Sequence, residues 1–304
     1  MCSSDLGKAF AGLFDEAGFR LEELHRFSHE GVTFHLPDAD GALRERTYWD
    51  DTFLYQQILE AIRAYRLRFG PALDGIGIDT WGADGALLAP DGELLGKVYA
   101  YRDHRLDAMA EALAARVDPE RLYALTGIQF LPFNLSYQLL WLMTHRPDWV
   151  RPGCRFLPVP SLFYHYLGSA PMVDSTWASV TQLMEARTGR WCGELLDALG
   201  IPPDLLPPIV APGKPVGRLR LPLADALGVT PAPLIAVGSH DTASAFAAAP
   251  VDQPGEALII SSGTWSLVGA LIPQPITTPE ARRYNFSNEG GIGNIRFLKN
   301  CMGG

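Results

Sequence analysis

Three short segments of this sequence set an acid or a hydroxyl directly after an apolar run and follow it with small residues. They are Asp79-Thr80-Trp81-Gly82, Gly238-Ser239-His240-Asp241-Thr242 and Ser261-Ser262-Gly263-Thr264. In open α/β sheets, ligands collect beyond the carboxyl ends of strands, where backbone and short side chains converge. Glycine lets a backbone approach a ligand closely, and exposed N–H groups with hydroxyls hold phosphate oxygens. Taken singly, each segment is also an ordinary turn sequence. Ser239, His240 and Asp241 do not make a hydrolase relay, because adjacent residues of an extended chain point to opposite faces. There is no GxSxG elbow and no GxxxxGK[ST] loop. Gly290-Gly291-Ile292-Gly293 lacks the third glycine of a dinucleotide fingerprint, since Arg296 stands at that position. A lone carboxylate, Asp241, remains able to take a proton from an alcohol such as a sugar hydroxyl that His240 positions. Ser262-Gly263-Thr264 would then hold nucleotide phosphates, which is what phosphoryl transfer asks of a protein.

The elements around these segments alternate between strand and helix patterns, the mark of an α/β chain. Residues 19–27 have strand character, and 9–14 read as a strand before them. Residues 51–69 read as a helix, with Leu54, Ile58, Ile62, Tyr65 and Phe69 at helical spacing, Asp50 or Asp51 as cap and Gly70-Pro71 as stop. Residues 73–78 read as a buried strand running into Asp79. Helices are expected at 106–116 and 135–145, the second ended by Pro147. The proline-dense stretch 202–233 reads as a connection approaching a domain boundary near 232. Beyond it, strands are expected at 234–237 and 257–260, with a helix starting near 243.

The chain has 304 residues, 47% hydrophobic and 19% charged, enough for a substantial core. At roughly 150 residues per domain this implies two domains: 1–232 and the start of a second at 233–304. A net charge of -9 with no basic block argues against nucleic acid as partner. No run approaches the roughly 18–20 apolar residues of a membrane span, and no secretory signal is visible. Cys2, Cys154, Cys192 and Cys301 form no CxxC pair, as expected of reduced thiols in a cytoplasmic protein.

Eight segments in order resemble the rhamnulokinases, a branch of the carbohydrate-kinase family that also includes glycerol, xylulose and fuculose kinases. They are His25-Arg26-Phe27, the run from Gly75 through Asp79-Thr80-Trp81-Gly82 to Asp84, Tyr101-Arg102-Asp103, and the run from Thr126 through Gln129 to Asn134. Later come Ser239-His240-Asp241-Thr242-Ala243-Ser244-Ala245, Ser261-Ser262-Gly263-Thr264-Trp265-Ser266-Leu267, Asn288-Glu289-Gly290-Gly291 and Arg296-Phe297-Leu298-Lys299-Asn300. The resemblance implies an actin-like, ribonuclease-H-like two-domain sugar kinase with an incomplete second domain. It implies ATP-dependent phosphorylation of L-rhamnulose to L-rhamnulose 1-phosphate, with Mg2+ bridging the ATP phosphates. Carried over by motif, Asp241 is the catalytic base, Gly82, His240 and Asn300 contact the sugar, and Thr264 contacts ATP. Trp81, Gln129 and Arg102 are weaker substrate-side candidates.

The match departs from the family at both ends. The family opens with an apolar strand ending in Asp-Leu-Gly and a hydroxyl-rich phosphate loop, whereas Asp5-Leu6-Gly7 runs straight into Lys8-Ala9-Phe10. Either the loop is deleted, or Gly7-Lys8 is the loop's closing pair and residues before it are foreign; the second register is preferred, since 9–14 then continues as the next strand. The expectation is a fragment with a nearly complete sugar side, a poor ATP site and uncertain activity. A non-catalytic sugar-binding remnant, and a kinase for another ketose or polyol, are the alternatives.

Overall fold

The computed structural model describes residues 6–16, 18–38, 40–253, 255–262 and 265–302, except the side chains of Trp265 and Met302. The chain opens with two antiparallel pairs, β1 (Leu6–Asp15) with β2 (Gly18–Ser28) and β3 (Gly31–Pro37) with β4 (Leu43–Trp49). Gly7 and Lys8 stand at the start of β1, opposite Phe27 and Arg26, and residues 9–14 continue it as a strand as expected; the residues before Leu6, on which the choice of register turns, lie outside the described residues. Glycine is required at position 7 because the Phe27 ring lies across it, where a Cβ would overlap. Helix α1 (Asp51–Phe69) follows as its periodicity predicts. Asp50 accepts a hydrogen bond from Phe53 N at 2.8 Å, and Gly70, at φ 90°, ends the helix by donating to Arg66 O at 3.1 Å.

Strand β5 (Gly85–Leu88) leads to three helices, α2 (Met109–Ala114), α3 (Pro119–Thr126) and α4 (Leu135–His145), before β6 (Arg155–Pro158) returns antiparallel to β5. Helix α2 is shorter than the expected 106–116. A single 3-10 turn, His104–Leu106, precedes it because the Asp103 carboxylate accepts from Arg105 N and sets a separate start. Helix α4 has the expected bounds and is buried on nearly all sides, with Leu139, Leu140 and Trp141 at 0%, 1% and 5% exposure. A helix apolar all round belongs in a core or a membrane; here Ser136 bonds Gln182, and Gln138 bonds Asp84. Among the described residues no helix is long and apolar enough to cross a membrane.

The chain continues through α5 (Val159–Leu167), β7 (Val173–Asp174), α6 (Ser175–Ser179), α7 (Gly193–Leu199), β8 (Ile209–Val210), β9 (Pro215–Arg218), α8 (Leu221–Leu227), β10 (Pro233–Ile235) and α9 (Asp241–Ala247). It ends in β11 (Ile259–Ser262), β12 (Trp265–Ile272), α10 (Pro279–Arg283), β13 (Ser287–Gly290) and β14 (Ile295–Met302). Those last four strands form an antiparallel sheet in the order β11-β12-β14-β13. The main core packs α2, α3, α4 and α7 around Leu113, Leu139, Leu195 and Trp177.

Residues 73–78 do not form the expected strand. The segment runs parallel to 233–240 but meets it only at two isolated bridges, Ile76 with Leu234 and Thr80 with His240. Ile76 N donates to Pro233 O and Ile235 N donates to Ile76 O, which starts a parallel ladder. Its next rung would join Ile78 N to Ile235 O. The Tyr164 hydroxyl occupies that rung, accepting from Ile78 N at 2.7 Å and donating to Ile235 O at 2.6 Å. The ladder closes again at Thr80 N to Ser239 O and Asp241 N to Thr80 O, both 2.8 Å. Between the two bridges the second segment is two residues longer, so it bulges and turns Gly238 through Asp241 toward Gly82.

Candidate active site

The bridge between Thr80 and His240 brings two of the strand-end segments edge to edge, and a cavity of about 420 Å³ opens where they meet. Asp241 is the first residue of α9. Its Oδ1 accepts from Thr242 N at 2.6 Å and Thr242 Oγ1 at 3.1 Å and lies 3.5 Å from His240 Nε2. The side chain is 56% exposed, opening on the cavity. Burial of its surroundings and the neighbouring Asp79 raise its affinity for protons, opposed by the Thr242 bonds and Arg296. The direction suits a base that must keep a proton it has taken. Ser239 is no nucleophile, for its hydroxyl donates to the buried Asp174 carboxylate.

One wall of the cavity is aromatic. Trp49, Trp81, Tyr101 and Phe133 line it, with Trp49 and Trp81 centroids 4.5 Å apart. Behind them stands Asp84, fully buried and in the left-handed region at φ 72°. Its Oδ2 accepts from Trp49 Nε1 at 2.7 Å, Trp81 Nε1 at 3.2 Å and Tyr101 N at 3.0 Å, and its Oδ1 from Gln138 Nε2 at 3.1 Å. Gln138 in turn accepts from Arg105, whose guanidinium lies over the Tyr99 ring. Burial pushes the Asp84 carboxyl up to about 6, against the pull of Trp49, Arg105, Trp81 and Gln138.

The facing wall is polar. His240 caps α9, and its Nε2 stands where a Gly82 Cβ would come within 2.6 Å, so glycine at 82 is what admits the ring. His240 Nδ1 is 3.0 Å from Arg296 Nη2, and Arg296 Nη1 is 3.1 Å from Glu289 Oε2. Burial, then Arg296, holds the imidazole well below its ordinary pKa. Asn300 and Gln129 clasp each other: Asn300 N and Nδ2 both donate to Gln129 Oε1 at 3.0 Å, while Gln129 Nε2 donates to Asn300 O at 3.2 Å. Asn300 Nδ2 also reaches Glu289 Oε1 at 3.3 Å.

Asp241, Gly82, His240 and Asn300 thus line one cavity, as do Trp81 and Gln129. Arg102 does not line it; its guanidinium carbon is 5.2 Å from the Tyr101 ring centre. Thr264 lies outside the described residues, although Ser261 and Ser262 reach the cavity edge. Sequence reasoning assigned nothing to Trp49, Tyr101, Asp84, Glu289 or Arg296. All except Trp49 stand in the motif segments, which was the available signal; Trp49 carried none. Among the described residues no group of three His, Cys, Asp or Glu side chains could hold a metal.

Residues 36–247 match the N-terminal domain of the FGGY family of carbohydrate kinases. The chain is 38% identical over 298 residues to a rhamnulokinase of Bacteroides thetaiotaomicron, covering 98% of this chain and 59% of that protein. It is 40% identical over 284 residues to a rhamnulokinase of Pectobacterium atrosepticum, covering 93% and 54%. The chain therefore spans less than two thirds of the length of these relatives. Solved structures with similar folds include xylulose kinase from Rhodospirillum rubrum, with TM-score 0.80, 16% identity and coverage of 98% of this chain and 59% of that one. Ligand-bound xylulose kinase from Lactobacillus acidophilus gives TM-score 0.79 at 18% identity, with coverage of 97% and 57%. The α/β architecture is that of the sugar kinases.

Proposed function

This chain belongs to the FGGY family of carbohydrate kinases, and from that membership we propose that its cavity binds a keto-sugar and presents one hydroxyl for phosphorylation by ATP. L-rhamnulose is the proposed substrate and L-rhamnulose 1-phosphate the product. The observation that supports this most is the meeting of one carboxylate, Asp241, with Gly82, His240 and Asn300 around a cavity backed by indole faces. Apolar ring faces suit the C–H surface of a sugar, and few, directed polar groups fix its orientation. In the reaction, Asp241 takes the proton of the attacking primary hydroxyl as that oxygen bonds the γ-phosphorus; the bond to the bridging oxygen breaks and ADP leaves with the electron pair. His240 and Asn300 hold the sugar so that the attacking oxygen faces Asp241. The nucleotide is proposed to lie toward Ser261 and Ser262, with Thr264 contacting it. Magnesium would come with the nucleotide phosphates and supply charge neutralisation; the described residues do not build a cage for it.

The test is sugar-dependent ADP release together with calorimetry of L-rhamnulose binding, run against L-fuculose, D-xylulose and glycerol. The expected result is tightest binding and fastest turnover with L-rhamnulose. Asp241→Asn should lower turnover by about 10²–10⁴ and change sugar affinity little. Near-normal turnover in that variant overturns the role of Asp241. Sugar binding with no turnover in the unaltered chain leaves a carbohydrate-binding module, the second reading that the one-cavity arrangement supports.

A further inference from the structure

The imidazole of His240 is 8% exposed at residue level, and its two nitrogens face unlike neighbours. Nε2 looks into the cavity beside Gly82 and Asp241. Nδ1 lies 3.0 Å from Arg296 Nη2. A guanidinium carries hydrogens on all its nitrogens and accepts none. A nitrogen that meets it at hydrogen-bonding distance must offer a lone pair, and the ring hydrogen then sits on Nε2.

Arg296 is itself held in place. It is fully buried, its Nε donates to Gly290 O at 2.9 Å, and its Nη1 pairs with Glu289 Oε2 at 3.1 Å. Glu289 is the competitor for Nδ1, since a carboxylate there would draw the hydrogen to that side. Its Oε2 is 3.6 Å from Nδ1, beyond hydrogen-bonding reach and farther than it is from Arg296. The other charged groups nearby are Asp241, on the Nε2 side, and Asp174, whose charge acts on Arg296.

We infer that Arg296 is a positioning residue that holds His240 as the neutral Nε2–H tautomer, making Nε2 a hydrogen-bond donor to a ligand oxygen beside Gly82 and Asp241. A neutral donor fits the site for a second reason: an imidazolium there would favour the ionised form of Asp241 and weaken it as a base. The nature of the ligand rests on the carbohydrate reading above; the tautomer does not.

The experiment is long-range 1H–15N NMR of the histidine ring nitrogens in the labelled protein, from about pH 5 to about pH 8, with His240→Asn used for assignment. Expected is an acceptor-type Nδ1 and a hydrogen-bearing Nε2 throughout that range. A ring with hydrogen on Nδ1, or on both nitrogens at neutral pH, overturns the inference, and this readout holds even where no Arg296 variant folds. In Arg296→Met, checked for folding by circular dichroism, the hydrogen should no longer be confined to Nε2 and L-rhamnulose binding should weaken about tenfold, the loss of one directed hydrogen bond. Arg296→Lys, which restores a donor, should recover the Nε2–H tautomer and part of the affinity. Retention of that tautomer in Arg296→Met shows that Arg296 does not set it. The expected tautomer without any L-rhamnulose heat contradicts the carbohydrate reading and leaves Arg296's role intact.

Discussion

The two walls of the cavity are each built around a buried charge, but the charges are handled differently. Asp84 has no cation in contact. All four of its hydrogen bonds come from uncharged N–H groups, those of Trp49, Trp81, Tyr101 and Gln138, and Arg105 is joined to it by hydrogen bonds only through Gln138. Arg296 sits against the carboxylate of Glu289. The aromatic wall is therefore organised by directed dipoles and stays titratable, while the polar wall is organised by an ion pair and keeps its charge. The lesson is that a buried acid can align large rings precisely when every acceptor site is filled, at the cost of a proton affinity that climbs with burial.

Removing the acid is the strongest way to break this contrast. Asp84→Ala leaves two indole N–H groups, Tyr101 N–H and the Gln138 amide without their acceptor, and does not relieve the φ of 72°. We expect a loss of about 3–5 kcal/mol in chemical denaturation, with a shift in tryptophan fluorescence. Asp84→Asn should cost much less, because one amide oxygen can keep the three bonds at Oδ2. Equal losses in the two variants would show that packing, and not hydrogen bonding, carries the wall.

The walls should also answer acid in opposite senses. Asp84 holds its proton up to about 6 when folded, against 3.8 for the ordinary carboxyl. Between those values the folded state binds more protons than the unfolded chain, so this group's contribution to stability falls as pH rises from about 4 to about 6, by at most about 3 kcal/mol. His240 is depressed well below 6.5. The unfolded chain then binds the extra proton, so its contribution is present above about 6.5 and is lost as pH falls. Denaturation midpoints across this window should drop more steeply toward acid in Asp84→Asn than in the unaltered chain, and less steeply in His240→Gln. Parallel profiles for all three would remove the contrast.

How far this was legible follows the length scale of each interaction. Helix α1 could be read because its apolar spacing, the Asp50 cap and the Gly70 stop are all local. Asp79-Thr80-Trp81-Gly82 and the segment ending at Asp241 could be singled out because strand-end acids beside glycines have a physical meaning. Their neighbours in space could not. Asp84 draws donors from positions 49, 81, 101 and 138, and Arg296 reaches back to His240 across 56 residues. Nothing in a run of ten residues shows which arginine will be buried. The failed strand at 73–78 has the same cause, a hydroxyl from 86 residues away.

That hydroxyl offers the smallest and most local test, because it lies at the joint between the walls. Gly82 belongs to one segment and His240 to the other, and the Thr80–His240 bridge sets their separation after the Tyr164 hydroxyl has displaced a rung. Tyr164→Phe removes the hydroxyl and leaves Ile78 N–H and Ile235 C=O facing an apolar edge. If the segments cannot close, two buried groups lose their partner and stability falls by about 1–2 kcal/mol. If they close into the missing rung, stability is nearly kept, but the bulge must shorten and His240 must move relative to Gly82. L-rhamnulose affinity would then drop while the denaturation midpoint stays put. We expect the first outcome, since Gly77 already has Val237 against it where a Cβ would fall, at 2.5 Å, which leaves little room to draw the strands together. An unchanged midpoint with unchanged sugar binding would show that the wedge is incidental to the spacing of the walls.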